Sequence, residues 1–438
     1  MTRFPLQVTA RSPLSIRADH AEGGVKTAHY IPGTTLLGSL ATGHRMLYPE
    51  KEEDFVKLFL KEQVSIPHLY PAQFKASSFR AANTPVMPLP KTAQTCKRFS
   101  GFLPVQSENT DEEPYKRCQG PDEERHGVRD TLLDWAVFSL LKQEGAATSA
   151  LLAPLQGHEE CQHSIDQAND KRCKLPMAHI NGYYRRDATD SRQRMKARVD
   201  TRLQTRTGIN REWGVVEERI LYNHEVFDGG MAFWGEMILP DELADSFKHF
   251  VEEAAAEDIV RIGTGRTRGM GRVSLELGKD MKSDAGEFGR KLTRFDTELR
   301  KLARDAGVKE LKPFYFAITL QSPTILCDAF LRYYKTLEAA LLPTLLGLPA
   351  STWTFERVYQ SVGIQRIGGW NEVWGAPRYN DYALEMGSTF LFASKQPQDT
   401  ALTEALRVCE ETGIGRRRSE GFGRISVSDP FHLEREQA

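Results

Sequence analysis

The chain has no apolar run near the roughly 18 residues that crossing a bilayer takes, so a helical membrane span is excluded as its organising feature. Its first residues, Met1 to Ala10, lack the apolar core of a secretory signal and read as the opening strand of a fold. Cysteine is scarce: six residues are scattered over 438 positions, too few and too irregular for a disulfide framework, and a reducing cytoplasm is the expected compartment. Net charge is nearly absent, at −1, so overall charge does not announce a polyanion ligand. Also missing are a phosphate-binding Walker loop, an HExxH helix, a nucleophile elbow and any Cys-x-x-Cys knuckle, which removes the common signatures of nucleotide hydrolysis, zinc proteolysis and acyl transfer.

Present instead are two arginine–glycine loops. The second, Gly413-Ile-Gly-Arg-Arg-Arg-Ser-Glu-Gly-Phe-Gly-Arg424, sets four arginines and one glutamate among four glycines. The first, Arg261-Ile-Gly-Thr-Gly-Arg-Thr-Arg-Gly-Met-Gly-Arg272, has four arginines, four glycines and no acid. Each follows a helix-like stretch (241–256 and 401–411) and precedes a strand-like one. That order is the reverse of the dinucleotide-binding fingerprint. Glycine lets a backbone approach an anion, and arginine between glycines can meet a phosphate or carboxylate there. Basic residues also gather in 183–211, from Arg185 and Arg186 through Arg206 and Arg211, with acid placed elsewhere. Segregated charge in a neutral protein suits a polyanion held on one face; solvated surface charge is the competing reading.

Two modules frame these loops. Leu6, Val8 and Ala10 alternate with polar residues as in a half-buried strand, which Ser12-Pro13 ends. Phe314 to Leu326 repeats this order, a strand and then Ser322-Pro323. After the first strand, Pro32-Gly33 turns into a helix with Thr34 or Thr35 as its cap. Strands at 205–211, 218–226 and 233–238, the helix 241–256, the loop and a last strand complete a βαββαβ order. The second copy runs through a helix expected at 330–346, strands at 355–367 and 388–392, and the helix 401–411. The expected fold class is therefore α+β: two ferredoxin-like (RRM-like) βαββαβ modules at 1–277 and 311–438, joined by a charged helical connector at 278–310. The first module carries a large insertion at about 64–200, Pro-rich near Thr84 to Lys91 and with one amphipathic helix at 131–142.

The insertion holds every cysteine of the first half. Cys161-Gln-His163 and Cys173, with Cys96 or Cys118 contributed from afar, can place four ligands around a structural zinc, and the expected set is Cys96, Cys161, His163 and Cys173. Free cysteines are the alternative. For acid–base chemistry the candidate histidines are His20, His29 and His126, and none sits in a constellation that spacing would select.

Four passages together resemble the RAMP superfamily of CRISPR-associated proteins. They are Tyr30-Ile-Pro-Gly33 with Leu37-Gly-Ser-Leu40; Thr205-Arg-Thr-Gly-Ile-Asn-Arg211 with Leu221-Tyr-Asn-His-Glu225 and Phe233-Trp-Gly235; Gly369-Trp-Asn371 with Gly387-Ser388; and the two loops. The likeness is nearest to the type III-D RAMP subunit of the "Cas five" group. It implies a non-catalytic subunit of a type III antiviral interference complex that holds the repeat-derived 5′ handle of the guide RNA. Such a subunit packs between the large polymerase/nuclease subunit and the backbone RAMP subunits, and meets target RNA only indirectly. The residues expected at the RNA are Arg206, Arg211, Arg266, Arg268, Arg416, Arg417 and Arg418. Gly263, Gly265, Gly269, Gly271, Gly413, Gly415, Gly421 and Gly423 shape the loops, with Phe422, Tyr183, Tyr184 and Trp213 as stacking aromatics. The alternatives are a repeat-RNA endoribonuclease and a scaffold that touches only protein.

Overall fold

The computed structural model describes residues 1–17, 26–73, 84–103, 125–156, 158–166, 171–187, 193–209, 216–280, 285–371 and 375–433. Arg211, Cys118, His20 and Trp213 lie outside the described residues. The fold is α+β, built on several small antiparallel sheets.

In the first half, β1 (Thr2–Ala10) is followed by α1 (Gly33–Leu47), β2 (Tyr70–Pro71), β3 (Ala232–Leu239), α2 (Asp241–Ala256) and β4 (Val273–Leu277). Sheet order is β4-β1-β3-β2. Val8 pairs with Phe233 on one side and Leu275 on the other, so the apolar positions of three strands share one face. Leu36 and Leu40 of α1 and Phe247, Phe250 and Val251 of α2 fill that face. No side chain caps α1: Pro32 occupies the cap position, which corrects the expectation that Thr34 or Thr35 would.

The second half repeats the arrangement. Here α3 (Ala285–Asp305) precedes β5 (Phe314–Leu320), β6 (Phe355–Ser361), β7 (Thr389–Ser394), α4 (Thr400–Thr412) and β8 (Ile425–Val427), and the order is β8-β5-β7-β6. Every residue of β5 is buried, because this sheet is covered on both faces. Phe314, Phe316 and Ile318 meet Leu402 and Leu406 of α4. Tyr315 and Ala317 meet Phe295 and Leu299 of α3 and Leu133, Val137 and Leu140 of the helix Leu132–Gln143. Helix α3 of the 278–310 segment thus covers one face of this sheet, together with the insertion's helix Leu132–Gln143. Asp399 caps α4 by accepting from Leu402 N (2.7 Å).

Two expectations need correction. The helix expected at 330–346 is reduced to a 3₁₀ turn Ala339–Leu341 and one α turn Leu342–Leu345. Asp328 Oδ1 accepts from Phe330 N (2.9 Å) and Arg332 N (3.0 Å), holding 328–332 as a tight turn. The strands around 205–209 and 218–226 form a separate two-stranded ribbon, Thr201–Ile209 with Val216–Phe227, outside the four-stranded sheet; β2 takes the fourth place there.

Candidate nucleic-acid interface and metal-ligand cluster

The two arginine–glycine loops are copies at the level of single hydrogen bonds. In the first, Gly271 N donates to Pro13 O (3.0 Å), Thr264 N to Ser15 O (2.9 Å) and Arg272 N to Ser12 Oγ (2.9 Å). In the second, Gly423 N donates to Pro323 O (3.0 Å), Arg416 N to Ile325 O (3.0 Å) and Arg424 N to Ser322 Oγ (2.8 Å). Each Ser-Pro dipeptide is the receptor for its loop, which is why both recur together in the sequence. Gly263, Gly271, Gly415 and Gly423 press against carbonyls of Ser15, Ile262, Ile325 and Ile414 with no room for a Cβ. Gly413 follows the last turn of α4.

Their surroundings differ. The first loop faces outward: Thr267, Arg268 and Gly269 are exposed and Arg266 is half-buried. Arg206 of the ribbon reaches it, with Nη2 at 2.8 Å from Met270 Sδ. His224, on the facing ribbon strand, lies within this group. Burial, and then the positive charges of Arg206, Arg17 and Arg268, lower its pKa below the ordinary value. One glycine loop, three arginines and a histidine therefore share a positive field. His224 entered the sequence reading only as part of the five-residue passage Leu221 to Glu225; no spacing rule marked it.

The second loop faces inward, against the first half. Ser65 Oγ donates to Arg418 O (3.0 Å) and Ile66 N to Ser419 O (3.0 Å). Phe422 is 3% exposed, its ring edge-on to His68 at 4.9 Å and capped by Arg417 at 4.7 Å. Arg417 donates to Asp381 Oδ2 (2.8 Å) and Glu420 Oε2 (2.7 Å). Arg424 donates to Glu236 O of β3 (2.6 Å). In this structure Phe422 is an interface core residue and offers no face to a base. Arg416 and Arg418 remain exposed. Among the described residues, the exposed aromatics on this half are Phe330 (81%), Tyr379 (98%) and Tyr382 (52%), none of which the sequence singled out. Tyr382 packs edge-on to Tyr333 at 5.7 Å, and Tyr333 Oη donates to the same Asp381 that holds Arg417.

His68 is the pivot of this interface. Its Nδ1 accepts from Gly33 N (2.7 Å), the first residue of α1. Burial, reinforced by Arg424 and Arg417, pushes its pKa down to about 3, so the ring stays neutral.

Much of the 183–211 basic run is interior. Tyr183 stacks on Tyr70 at 4.7 Å and Tyr184 packs against Phe431, so neither is a stacking platform. Arg185 and Arg194 are buried, and Arg186 donates to Asp429 Oδ1 (2.8 Å). Burial alone would raise the Asp429 carboxyl, but Arg186 and His432 outweigh it and hold the group below the carboxylate range. Arg198 and Arg202 reach the surface, each paired with an aspartate, Asp200 and Asp228 respectively.

In the insertion, Cys96, Cys161 and Cys173 come together as expected, and the nitrogen beside them belongs to His126. The four donor atoms all lie within 4.8 Å of one another. His163, the expected ligand, stacks on the His126 ring at 4.1 Å. Burial, then the neighbouring Cys161 and Cys96, push the Cys173 thiol up to about 11. The donor set fits a thiophilic cation. His29 is exposed.

Residues 7–274 match the RAMP superfamily. The match spans more than half of the chain, which belongs to that superfamily. No curated protein matches it. Among solved structures, the chain is similar to one in a cryo-EM structure of the type III-B Cmr-beta complex bound to cognate target RNA and AMPPnP. Identity there is 12%, coverage 88% of this chain and 86% of that one, and the TM-score 0.37. It is also similar to a CRISPR-associated protein Cas6, at 8% identity, 97% and 98% coverage, and a TM-score of 0.31. Among the described residues no helix is long and apolar enough to cross a membrane.

Proposed function

We propose that this RAMP-superfamily chain is the non-catalytic type III-D subunit that holds the repeat-derived 5′ handle of a CRISPR guide RNA. In this reading its two ferredoxin-like modules bridge the large polymerase/nuclease subunit to the backbone RAMP subunits. The observation that carries the proposal is the outward-facing first loop, where Arg268 sits with Arg206, Arg17 and His224 in one positive field and Arg266 lies two residues earlier in the same loop. Phosphates are the ligand such a field suits, and glycine at the loop's crest lets a strand approach the backbone. The second loop contributes Arg416 and Arg418 at its rim, while Arg417 and Phe422 hold the two halves together.

The test is RNA retention by the protein purified with its neighbouring complex subunits. Changing Arg266 and Arg268 to alanine is expected to lose the tagged RNA and to flatten the salt dependence by about one unit of log slope per phosphate contact. Changing Arg416 and Arg418 is expected to weaken retention less. Unchanged RNA in the Arg266/Arg268 variant would move the chain to the protein-only scaffold reading.

A repeat-RNA endoribonuclease is the second reading, and His224 is what favours it. A histidine whose pKa is lowered by burial and by neighbouring arginines suits a base for a 2′-hydroxyl beside a phosphate. A single cut in repeat RNA that His224→Ala abolishes would support it.

A further inference from the structure

We propose that Cys96, His126, Cys161 and Cys173 form a closed structural zinc site, with His126 as the only nitrogen ligand and His163 as the partner that fixes its ring. This site is separate from the two arginine–glycine loops and does not depend on what they bind.

The donors come from four separated points of the chain, and backbone pairing brings them together. The strand Ala93–Cys96 pairs with Val128–Asp130 on one side and Met177–His179 on the other. Cys96 thus ends the central strand, and His126 lies just before its neighbour. Cys161 N donates to Leu175 O (2.7 Å), Lys174 N to Cys161 O (3.0 Å) and Cys173 N to His163 O (2.9 Å). These bonds set Cys161 and Cys173 across from each other at the sheet's end. Such long-range convergence leaves no Cys-x-x-Cys signal in the sequence.

The distances suit a tetrahedral ion. Zinc–sulfur and zinc–nitrogen bonds of about 2.3 and 2.0 Å place the two donor atoms about 3.5 Å apart at the tetrahedral angle. Cys161 Sγ and His126 Nδ1 are 3.4 Å apart. The His126 ring lies between Phe99 at 4.4 Å and His163 at 4.1 Å, which fixes its plane with Nδ1 turned toward the thiol. None of the three cysteines is in a disulfide. Cys96 and Cys161 are fully buried, where three sulfur donors select a soft ion over magnesium or calcium. Four protein ligands leave no open coordination position, so the ion is structural.

The small apolar cluster under this sheet consists of Leu89, Ala93, Phe102, Val128, Ile180, Tyr184 and Phe431. A metal supplements such a core. The same sheet carries Asp130, whose Oδ2 lies 2.8 Å from His432 Nδ1, and it leads directly into the helix that roofs the second sheet. The ion therefore braces the contact between the insertion and the second half.

The experiment uses the full chain expressed with zinc in the medium. Elemental analysis is expected to find about one zinc per chain, and zinc-edge X-ray absorption to show three sulfurs and one nitrogen. His126→Ala is expected to lose most of the metal and His163→Ala to retain it. If His126→Ala fails to fold, the absorption spectrum of the unaltered protein and the thiolate charge-transfer band of its cobalt form decide the coordination. Zinc well below one per chain, a shell without three sulfurs, or loss of zinc in His163→Ala but not in His126→Ala would overturn the proposal.

Discussion

Gly265 and Arg417 occupy the same place in two copies of one loop. Each opens a 3₁₀ turn from the left-handed region, at φ 73° and φ 57°. A glycine takes that conformation freely; an arginine pays about 1–2 kcal/mol for it. What holds Arg417 there is its pairing with Asp381 and Glu420 and its contact with Phe422. Arg417→Ala keeps the strained backbone and loses both ion pairs, leaving Asp381 to Tyr333 and Glu420 to Arg378, so it is expected to destabilise by about 2 kcal/mol. Arg417→Gly loses the same pairs but relieves the backbone, and should be less damaging by about 1 kcal/mol. Urea unfolding midpoints compare the two; equal midpoints would show that the left-handed turn is not under strain.

Gly269 and Gly421 make a second matched pair with different neighbours. Both have positive φ, 75° and 89°. A Cβ on Gly269 would meet open space, whereas one on Gly421 would lie 2.7 Å from His68 N and Ile66 O. Gly269→Ala is expected to cost about 1 kcal/mol, the backbone strain alone. Gly421→Ala must also push apart the two halves, and about 3 kcal/mol or more is expected. Thermal melts of the two variants test the asymmetry. Similar losses would mean that the second loop is not wedged against the first half.

The repeat was legible because its parts are local: Ser12-Pro13 with the first loop and Ser322-Pro323 with the second are short words whose hydrogen bonds the structure pairs one for one. The helices 241–256 and 401–411 were legible from their apolar spacing and appear within a residue of those bounds. Burial of charge was not. Nothing local distinguishes Arg185, which is interior, from Arg206, which borders the first loop, since each depends on strands far away in sequence. Arg417 and Phe422 read as ligand-facing for the same reason: their partners Asp381 and His68 are supplied by the tertiary fold. The missing helix at 330–346 was hidden by its leucines, whose apolar spacing masked the turn that Asp328 enforces.

His68 makes the interface between the halves acid-sensitive. Its folded pKa, about 3, is below the unfolded value near 6.5. The unfolded chain therefore binds a proton between those values that the folded chain refuses. Stability from this residue is present above about pH 6.5 and is lost as pH falls toward 3, by at most about 1.4 kcal/mol per unit. His68→Gln is expected to be less stable at neutral pH but to show a shallower decline between pH 6 and 4. Parallel stability–pH curves for the two proteins would remove His68 as the sensor.

His224 reports directly on whether RNA lies against the first loop. In the protein alone its pKa is lowered by burial and by Arg206, Arg17 and Arg268. A phosphate placed among those arginines offsets their repulsion, so binding is expected to raise the pKa and take up a proton. RNA affinity should then strengthen as pH falls from 7 toward 5, beyond what salt at constant concentration explains. The effect should vanish in His224→Gln, while Arg268→Ala should raise the pKa of the unbound protein by removing one repelling charge. Histidine chemical shifts titrated with and without a handle-length RNA measure both changes. A His224 resonance whose midpoint does not move when RNA is added would place the nucleic acid elsewhere, toward Arg416 and the exposed Tyr382.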